Sequence, residues 1–409
     1  MQPFTDKRRK MTTKKCDYSF FGRCTCSSTG HGLTETTNWR PFQVKILLVV
    51  PLVVIAFCVG SNFFVSDSEE KASRWAEIAP LEAPERSRCK IQYRARGTES
   101  LPRGIVSATS DFERRSLWGV SRDQEKAKKS LLAIAVGINQ KENVDNIVKK
   151  FPPTNFTIML FHYDGVVDQW RDFPWSESTL HISAINQTKW WFAKRFLHPD
   201  IVAEYSYIFL WDEDLDVDHF HPASRYLFIV EEEGLEISQP ALDPIKSAVH
   251  HRITVRSANS RVHRRAYKFH GSGRCYENST APPCTGWVEM MAPVFSRAAW
   301  RCAWHMIQND LIHAWGLDMR LGYCAQGERS TNVGVVDSEY LVHLGMRTLG
   351  HPRGNKALDD SPASSTRSEV RKQCLRELEI FRERWDKAVM DDDCWTDPYP
   401  PATSGSKTS

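Results

Sequence analysis

From about residue 130 onward, apolar runs alternate with stretches of helical spacing. Leu131 to Val136 is an aliphatic run closed by Gly137, and Glu142 to Lys150 carries its apolar residues on one helical face. Phe156 to Phe161 predicts a second strand, ended by Tyr163-Asp164-Gly165, and Leu180 to Ile185 predicts a third. Lys189 to Leu197 fits an aromatic-rich helix stopped by His198-Pro199. Tyr205 to Trp211 then forms an aromatic strand with no polar face, the composition of a strand covered on both sides. This alternation predicts an α/β fold: a Rossmann-like, mostly parallel sheet flanked by helices. Further on, residues 285–296 join a polar turn to a strand-like run, and Val335 to His343 is largely apolar. Thr366-Arg-Ser-Glu369 reads as a capping box. Behind it Val370, Cys374, Leu378, Phe381 and Trp385 share one helical face, which predicts a terminal helix packed back on the head.

The amino-terminal part has a different pattern. Ile46 to Val65 contains no charged residue, and at helical rise it covers about 30 Å, the thickness of a bilayer core. Basic residues (Lys7, Arg8, Arg9, Lys10, Lys14, Lys15, Arg40, Lys45) precede it, and Asp67, Glu69 and Glu70 follow. The positive-inside rule then predicts one transmembrane signal anchor of type II orientation, with everything after it lumenal. The expected organisation is a basic cytosolic tail (1–45), a membrane anchor (46–65), a charged stem (66–125), a catalytic head (126–350), and a terminal helix with an irregular tail (351–409).

Cysteines and glycosylation triplets agree with a lumenal setting. Of 11 cysteines, Cys89, Cys275, Cys284, Cys302, Cys324, Cys374 and Cys394 lie beyond the apolar segment. Cys275 and Cys284 bracket a short loop containing Pro282 and Pro283 and are the expected disulfide; Cys302 with Cys324, and Cys374 with Cys394, are pairs suggested by nearness in sequence. Acceptor triplets begin at Asn155, Asn186 and Asn278. The net charge of +4 is small and owes much to the tail, so no nucleic-acid partner is expected.

The candidate chemistry starts where the Tyr205–Trp211 strand ends. Asp212, Glu213, Asp214, Asp216 and Asp218 crowd the carboxyl end of a buried strand, where open α/β sheets bind ligands. Carboxylates so placed repel one another unless a cation sits among them, and Mn²⁺ or Mg²⁺ favours oxygen ligands. The bland alternative is a solvated acidic turn. An EF-hand loop is excluded, because His219 stands where its Gly belongs and Arg225 where its Glu belongs. Asp164, beside a Gly at a strand end, is a candidate for a ribose or base contact, or a simple turn former. Gly286 and Trp287 are candidates for a wall under a sugar ring, with Glu289 against its hydroxyls; a core Trp with a satisfied Glu is the alternative. In Trp315-Gly-Leu-Asp318 the acid is placed for a general base or a helix cap. His343 is a candidate metal ligand or a core histidine, with Asp337 and Glu339 weaker site candidates. Lys189, at a helix start, is a candidate phosphate contact, and the basic run from Arg252 to Arg274 a grip for a diphosphate or a solvated hairpin.

Long stretches resemble a plant family labelled "lysine-ketoglutarate reductase trans-splicing related". They are Asn186-Gln-Thr-Lys-Trp-Trp-Phe-Ala-Lys-Arg-Phe, Tyr207-Ile-Phe-Leu-Trp-Asp-Glu-Asp-Leu, Gly234-Leu-Glu-Ile-Ser-Gln-Pro-Ala-Leu-Asp243, Thr285-Gly-Trp-Val-Glu-Met-Met-Ala-Pro-Val-Phe-Ser and His313-Ala-Trp-Gly-Leu-Asp318. That family is similar to GT-A glycosyltransferases. The resemblance implies a metal at Asp212 and Asp214 (or Asp214 and Asp216), an acid at Asp318 and a metal-binding His343. The oxidoreductase in the label has no basis here, since no Gly-x-Gly-x-x-Gly follows a strand. The expectation is a Golgi glycosyltransferase moving a sugar from a nucleoside-diphosphate donor to a glycan acceptor with Mn²⁺ or Mg²⁺. Asp318 or Glu289 would be the base if it inverts, and association with itself or with other Golgi enzymes is open. A non-catalytic glycan-binding or scaffolding module, and a polysaccharide hydrolase with two flanking carboxylates, are the rivals.

Overall fold

The computed structural model describes Cys89, Ala95 and residues 97–106, 129–266, 275–276, 278–346 and 362–399. Nine strands form one sheet: β1 (Lys129–Val136), β2 (Phe156–His162), β3 (Leu180–Ser183), β4 (Tyr205–Trp211), β5 (Leu215–Asp216), β6 (Ile237–Leu242), β7 (Val262–His263), β8 (Val294–Ser296) and β9 (Val333–His343). The main helices are α1 (Lys141–Lys150), α2 (Lys189–Phe196), α3 (Leu227–Glu232), α4 (Arg297–Met306), α5 (Arg329–Asn332) and α6 (Pro362–Met390).

The strand order is β3-β2-β1-β4-β8-β6-β9-β5, with β7 on β9. The first half is the expected parallel unit, β1 lying between β2 and β4. The order reverses at β1, so the carboxyl ends of β1 and β4 form a topological switch point. The second half corrects the expectation of a mostly parallel sheet. β8 is antiparallel to both β4 and β6, and β5 and β7 are antiparallel to β9; only β6 and β9 run parallel there. The molecule is a mixed α/β domain. The transmembrane helix expected before it is also corrected: among the described residues no helix is long and apolar enough to cross a membrane, and residues 46–65 lie outside them.

Two apolar layers sandwich the sheet. On one face α2 and α4 cover Leu131, Ala133, Ile208, Leu210 and Phe295. On the other, α1 and α3 cover Leu132, Ile134, Phe209 and Trp211. Residues 97–106, assigned from sequence to the stem, belong to this body: Leu101 and Ile105 are buried in the first layer with Phe381 and Trp385 of α6. α6 begins at Pro362, upstream of the capping box at Thr366, and the expected face of Cys374, Phe381 and Trp385 is the buried one. The tail from Asp391, expected to be irregular, is packed as far as Tyr399: the Trp395 indole donates to the Ser100 carbonyl, and Cys394 is joined to Cys89. Cys275–Cys284 and Cys302–Cys324 pair as expected from sequence; Cys374 is a free, buried thiol rather than the partner of Cys394.

Candidate functional site

The site grows from the end of β4. The chain leaves Trp211 extended, so neighbouring side chains point to opposite sides. The Asp212 N–H bonds to the Met291 carbonyl, and β5 pairs antiparallel with the end of β9, which sets Leu215 opposite His343. Asp212 and Asp214 therefore face one side and Glu213 the other.

Glu213 turns under the mouth of β1. It accepts from the Gly137 N–H at 2.7 Å and from the Tyr163 hydroxyl at 2.5 Å. Burial raises its carboxyl to about 8, although both bonds pull the other way. Gly137 is required here, since a Cβ would lie 2.4 Å from the Tyr163 hydroxyl oxygen. The space over Gly137 is thus filled by Tyr163. Asp164 holds the same turn, accepting from the N–H groups of Ile138 (2.6 Å) and Val166 (2.9 Å).

On the other side, Asp212 is met by Lys189 at 2.7 Å. The buried Lys189 ammonium also donates to the carbonyls of Met290 and Met291. Its three N–H groups are all engaged, so it serves Asp212 and not a phosphate. Asp214 faces His343, with Oδ2 3.2 Å from Nε2, and accepts the Met346 N–H at 3.0 Å. His343 Nδ1 lies 2.6 Å from the Ala248 carbonyl, which only accepts, so Nδ1 carries a proton. The Nε2 lone pair then confronts a carboxylate oxygen, an arrangement that needs positive charge between them. A second proton supplies it in the free protein: burial would lower the imidazole, but the bonds to Asp214 and Ala248 lift it to about 9.

Glu289 and Asp318 complete the wall. Glu289 is 8% exposed, its Oε2 lacks a hydrogen-bond partner among the described residues, and burial lifts it to about 7, with His343 opposing and Asp212 and Asp318 adding. Asp318 accepts from the Trp287 indole at 3.2 Å and is raised above the usual carboxylate range by burial, against its bonds to Met319 and Trp287. Trp287 is 2% exposed and offers no open face to a sugar. Gly286 packs on Arg329, whose Cδ is 2.9 Å from the place of a Cβ. Trp315, 41% exposed, is the tryptophan that opens to solvent beside the Gly316–Asp318 turn.

The structure thus brings together Asp212, Asp214, Lys189, Glu289, Asp318 and His343. It leaves out Asp216, whose Oδ1 takes the Asp218 N–H. Asp337 and Glu339 are fully buried and paired elsewhere, with His263, and with His221 and Arg225. In the described part of the basic run, Arg261 and Arg264 pair with Glu232 and Glu233; Lys268 and Arg274 lie outside the described residues. The three acceptor asparagines, Asn155, Asn186 and Asn278, are exposed. Sequence reasoning missed the inward turn of Glu213 and singled out neither His250, 5.3 Å from the His343 ring, nor His251, 4.8 Å from the Trp287 ring.

A divalent ion fits this donor set in kind: Asp214 and His343 are aimed at one point, the His343 N–H is anchored on a carbonyl as metal-binding histidines are, and Glu289 keeps an unpaired oxygen. As the side chains stand, no three His, Cys, Asp or Glu among the described residues enclose a metal-sized space. Asp212 is tied to Lys189 and must turn to contribute.

Fold and site together define a mixed α/β protein with acidic side chains and a histidine gathered at the carboxyl edge of its central strands. Residues 92–391 match the family described as a protein of unknown function, DUF707, and the chain belongs to that family. No curated protein matches it.

Proposed function

We propose that the protein is a divalent-metal-dependent glycosyltransferase of GT-A type, taking a sugar from a nucleoside-diphosphate donor to a glycan hydroxyl. The observation that carries this reading is the His343–Asp214 pair, an imidazole nitrogen and a carboxylate oxygen held 3.2 Å apart at the end of β4 with Glu289 and Asp318 beside them. The ion, Mn²⁺ or Mg²⁺, would supply positive charge against the departing nucleoside diphosphate. Asp214 and His343 would hold it, with Asp212 added on release from Lys189. Asp318, oriented by the Trp287 N–H, would take the proton of the acceptor hydroxyl in an inverting reaction; Glu289 is the nearest substitute. In a retaining reaction neither need act as base. The resemblance of five sequence stretches to a plant family that is itself similar to GT-A enzymes supports the same reading. Three disulfides and exposed acceptor asparagines support an oxidising, lumenal setting such as the Golgi.

The second reading, a non-catalytic glycan-binding or scaffolding module, is favoured by the closed mouth of β1, where Glu213 and Asp164 occupy the Gly137 and Ile138 N–H groups and the Tyr163 hydroxyl donates to Glu213. Donor hydrolysis by the purified protein, with and without manganese, separates the two. The enzyme reading expects manganese-dependent hydrolysis, with Asp318→Asn lowering kcat about a hundredfold or more while donor binding persists. Absence of hydrolysis across a panel of nucleotide-sugars, with donor binding also absent, favours the scaffold.

A further inference from the structure

The loop that follows β6 does more than close the sheet. It is stapled to the end of β9: the Ala248 N–H donates to the His343 carbonyl at 2.8 Å, and the His343 N–H bonds to Ser247 Oγ at 3.1 Å. The same loop supplies the Ala248 carbonyl that fixes the His343 tautomer. Two residues further on it presents His250, an exposed residue whose ring centre is 5.3 Å from that of His343. Among the described residues neither nitrogen of His250 has a hydrogen-bond partner. Two imidazoles bound to one ion through nitrogens about 2 Å from it place their ring centres roughly 5 Å apart. The observed ring spacing meets that condition, but as the side chains stand the three residues do not enclose an ion, so the exposed His250 ring must turn to bring a nitrogen to the Asp214–His343 pair.

We infer that His250 is a third protein ligand, so that the site binds a first-row transition ion through two imidazoles and the Asp214 carboxylate. This rests on the metal-dependent reading above and goes beyond it in the choice of metal. Imidazole ligands suit transition ions, whereas Mg²⁺ and Ca²⁺ favour oxygen donors and retain their water. A purely oxygen site of the Asp-x-Asp kind would accept Mg²⁺ nearly as well as Mn²⁺.

The test is binding of Mn²⁺ alone to the full chain, followed by loss of the free-ion paramagnetic resonance signal, with Mg²⁺ as competitor. The expected result is saturable Mn²⁺ binding that Mg²⁺ displaces only at about tenfold or greater excess. His250→Ala should weaken Mn²⁺ about tenfold or more and leave the Mg²⁺ affinity within about twofold, with an unchanged thermal transition because the side chain is exposed. Equal Mn²⁺ affinity in His250→Ala and the natural chain overturns the inference. If Asp214→Asn still abolishes binding in that case, the metal-dependent reading survives without it. If the natural chain binds neither ion, both fall.

Discussion

Three consecutive acids, Asp212, Glu213 and Asp214, end in three different environments. Lys189 neutralises the first, Tyr163 and a backbone amide hold the second, and a histidine faces the third. Their crowding at a strand end was legible in the sequence, because a strand with no polar face must be buried and must deliver its polar continuation to the sheet edge. Which acid turns inward was not, since alternation fixes only that neighbours diverge. Trp287 stayed open in the sequence between a wall and a core residue for a related reason: a tryptophan at a turn is equally either until its neighbours are known, and here it is buried. The buried histidines give a prediction at this scale. His162, 0% exposed and stacked on His181, is held at about 4 by burial and by His181, against a weaker opposing pull from Asp164. Above pH 6.5 both folded and unfolded forms are neutral, so the group has no effect. Below it the unfolded chain takes up a proton that the folded chain refuses, and stability falls, by about 2 kcal/mol at pH 5. Urea unfolding at pH 7 and pH 5 should therefore show His162→Gln losing about 2 kcal/mol less than the natural chain across that interval. An identical loss in both would contradict the assignment.

At the scale of elements, the turn bearing Asp318 is built on α6. Gly316 has φ +93, and a Cβ there would come within 2.7 Å of Leu378 Cδ1. The His313 N–H and Nδ1 both bond to Glu377, which is 2% exposed. Gly316→Ala should destabilise the fold by about 1–3 kcal/mol. Its thermal transition should drop by several degrees, and calorimetry showing no change would mean that the turn does not rest on the helix. The helical face of α6 and the strands β1, β2 and β4 were readable from periodicity, which is strong over runs this long. The antiparallel half was not. β8 has three residues and β5 and β7 two each, too short for any alternation to show. The register of β6 on β9 shifts between Pro240 and Ala241, so that the partner skips from Val336 to Tyr340 past Asp337 and Glu339.

Across the whole molecule, residues 97–106 of the part read from sequence as stem and residues 391–399 of the tail clasp one another. Arg103 binds Asp392 through its backbone N–H at 2.9 Å and its guanidinium at 3.3 Å, and a Cβ on Gly104 would touch Ala388 at 2.9 Å. Such contacts join residues almost 300 positions apart and leave no local signature in composition. The clasp reaches the site through α6, so the acid at position 318 depends on chain ends far from it in sequence. The central claim, that Asp214 and His343 face one another in order to hold a cation against a pyrophosphate, is tested most directly by calorimetric titration of nucleoside diphosphates in manganese and in EDTA. The account predicts binding in manganese, none in EDTA, and at least about a tenfold loss of the manganese-dependent affinity in Asp214→Asn. Binding that is indifferent to both EDTA and Asp214→Asn would contradict it.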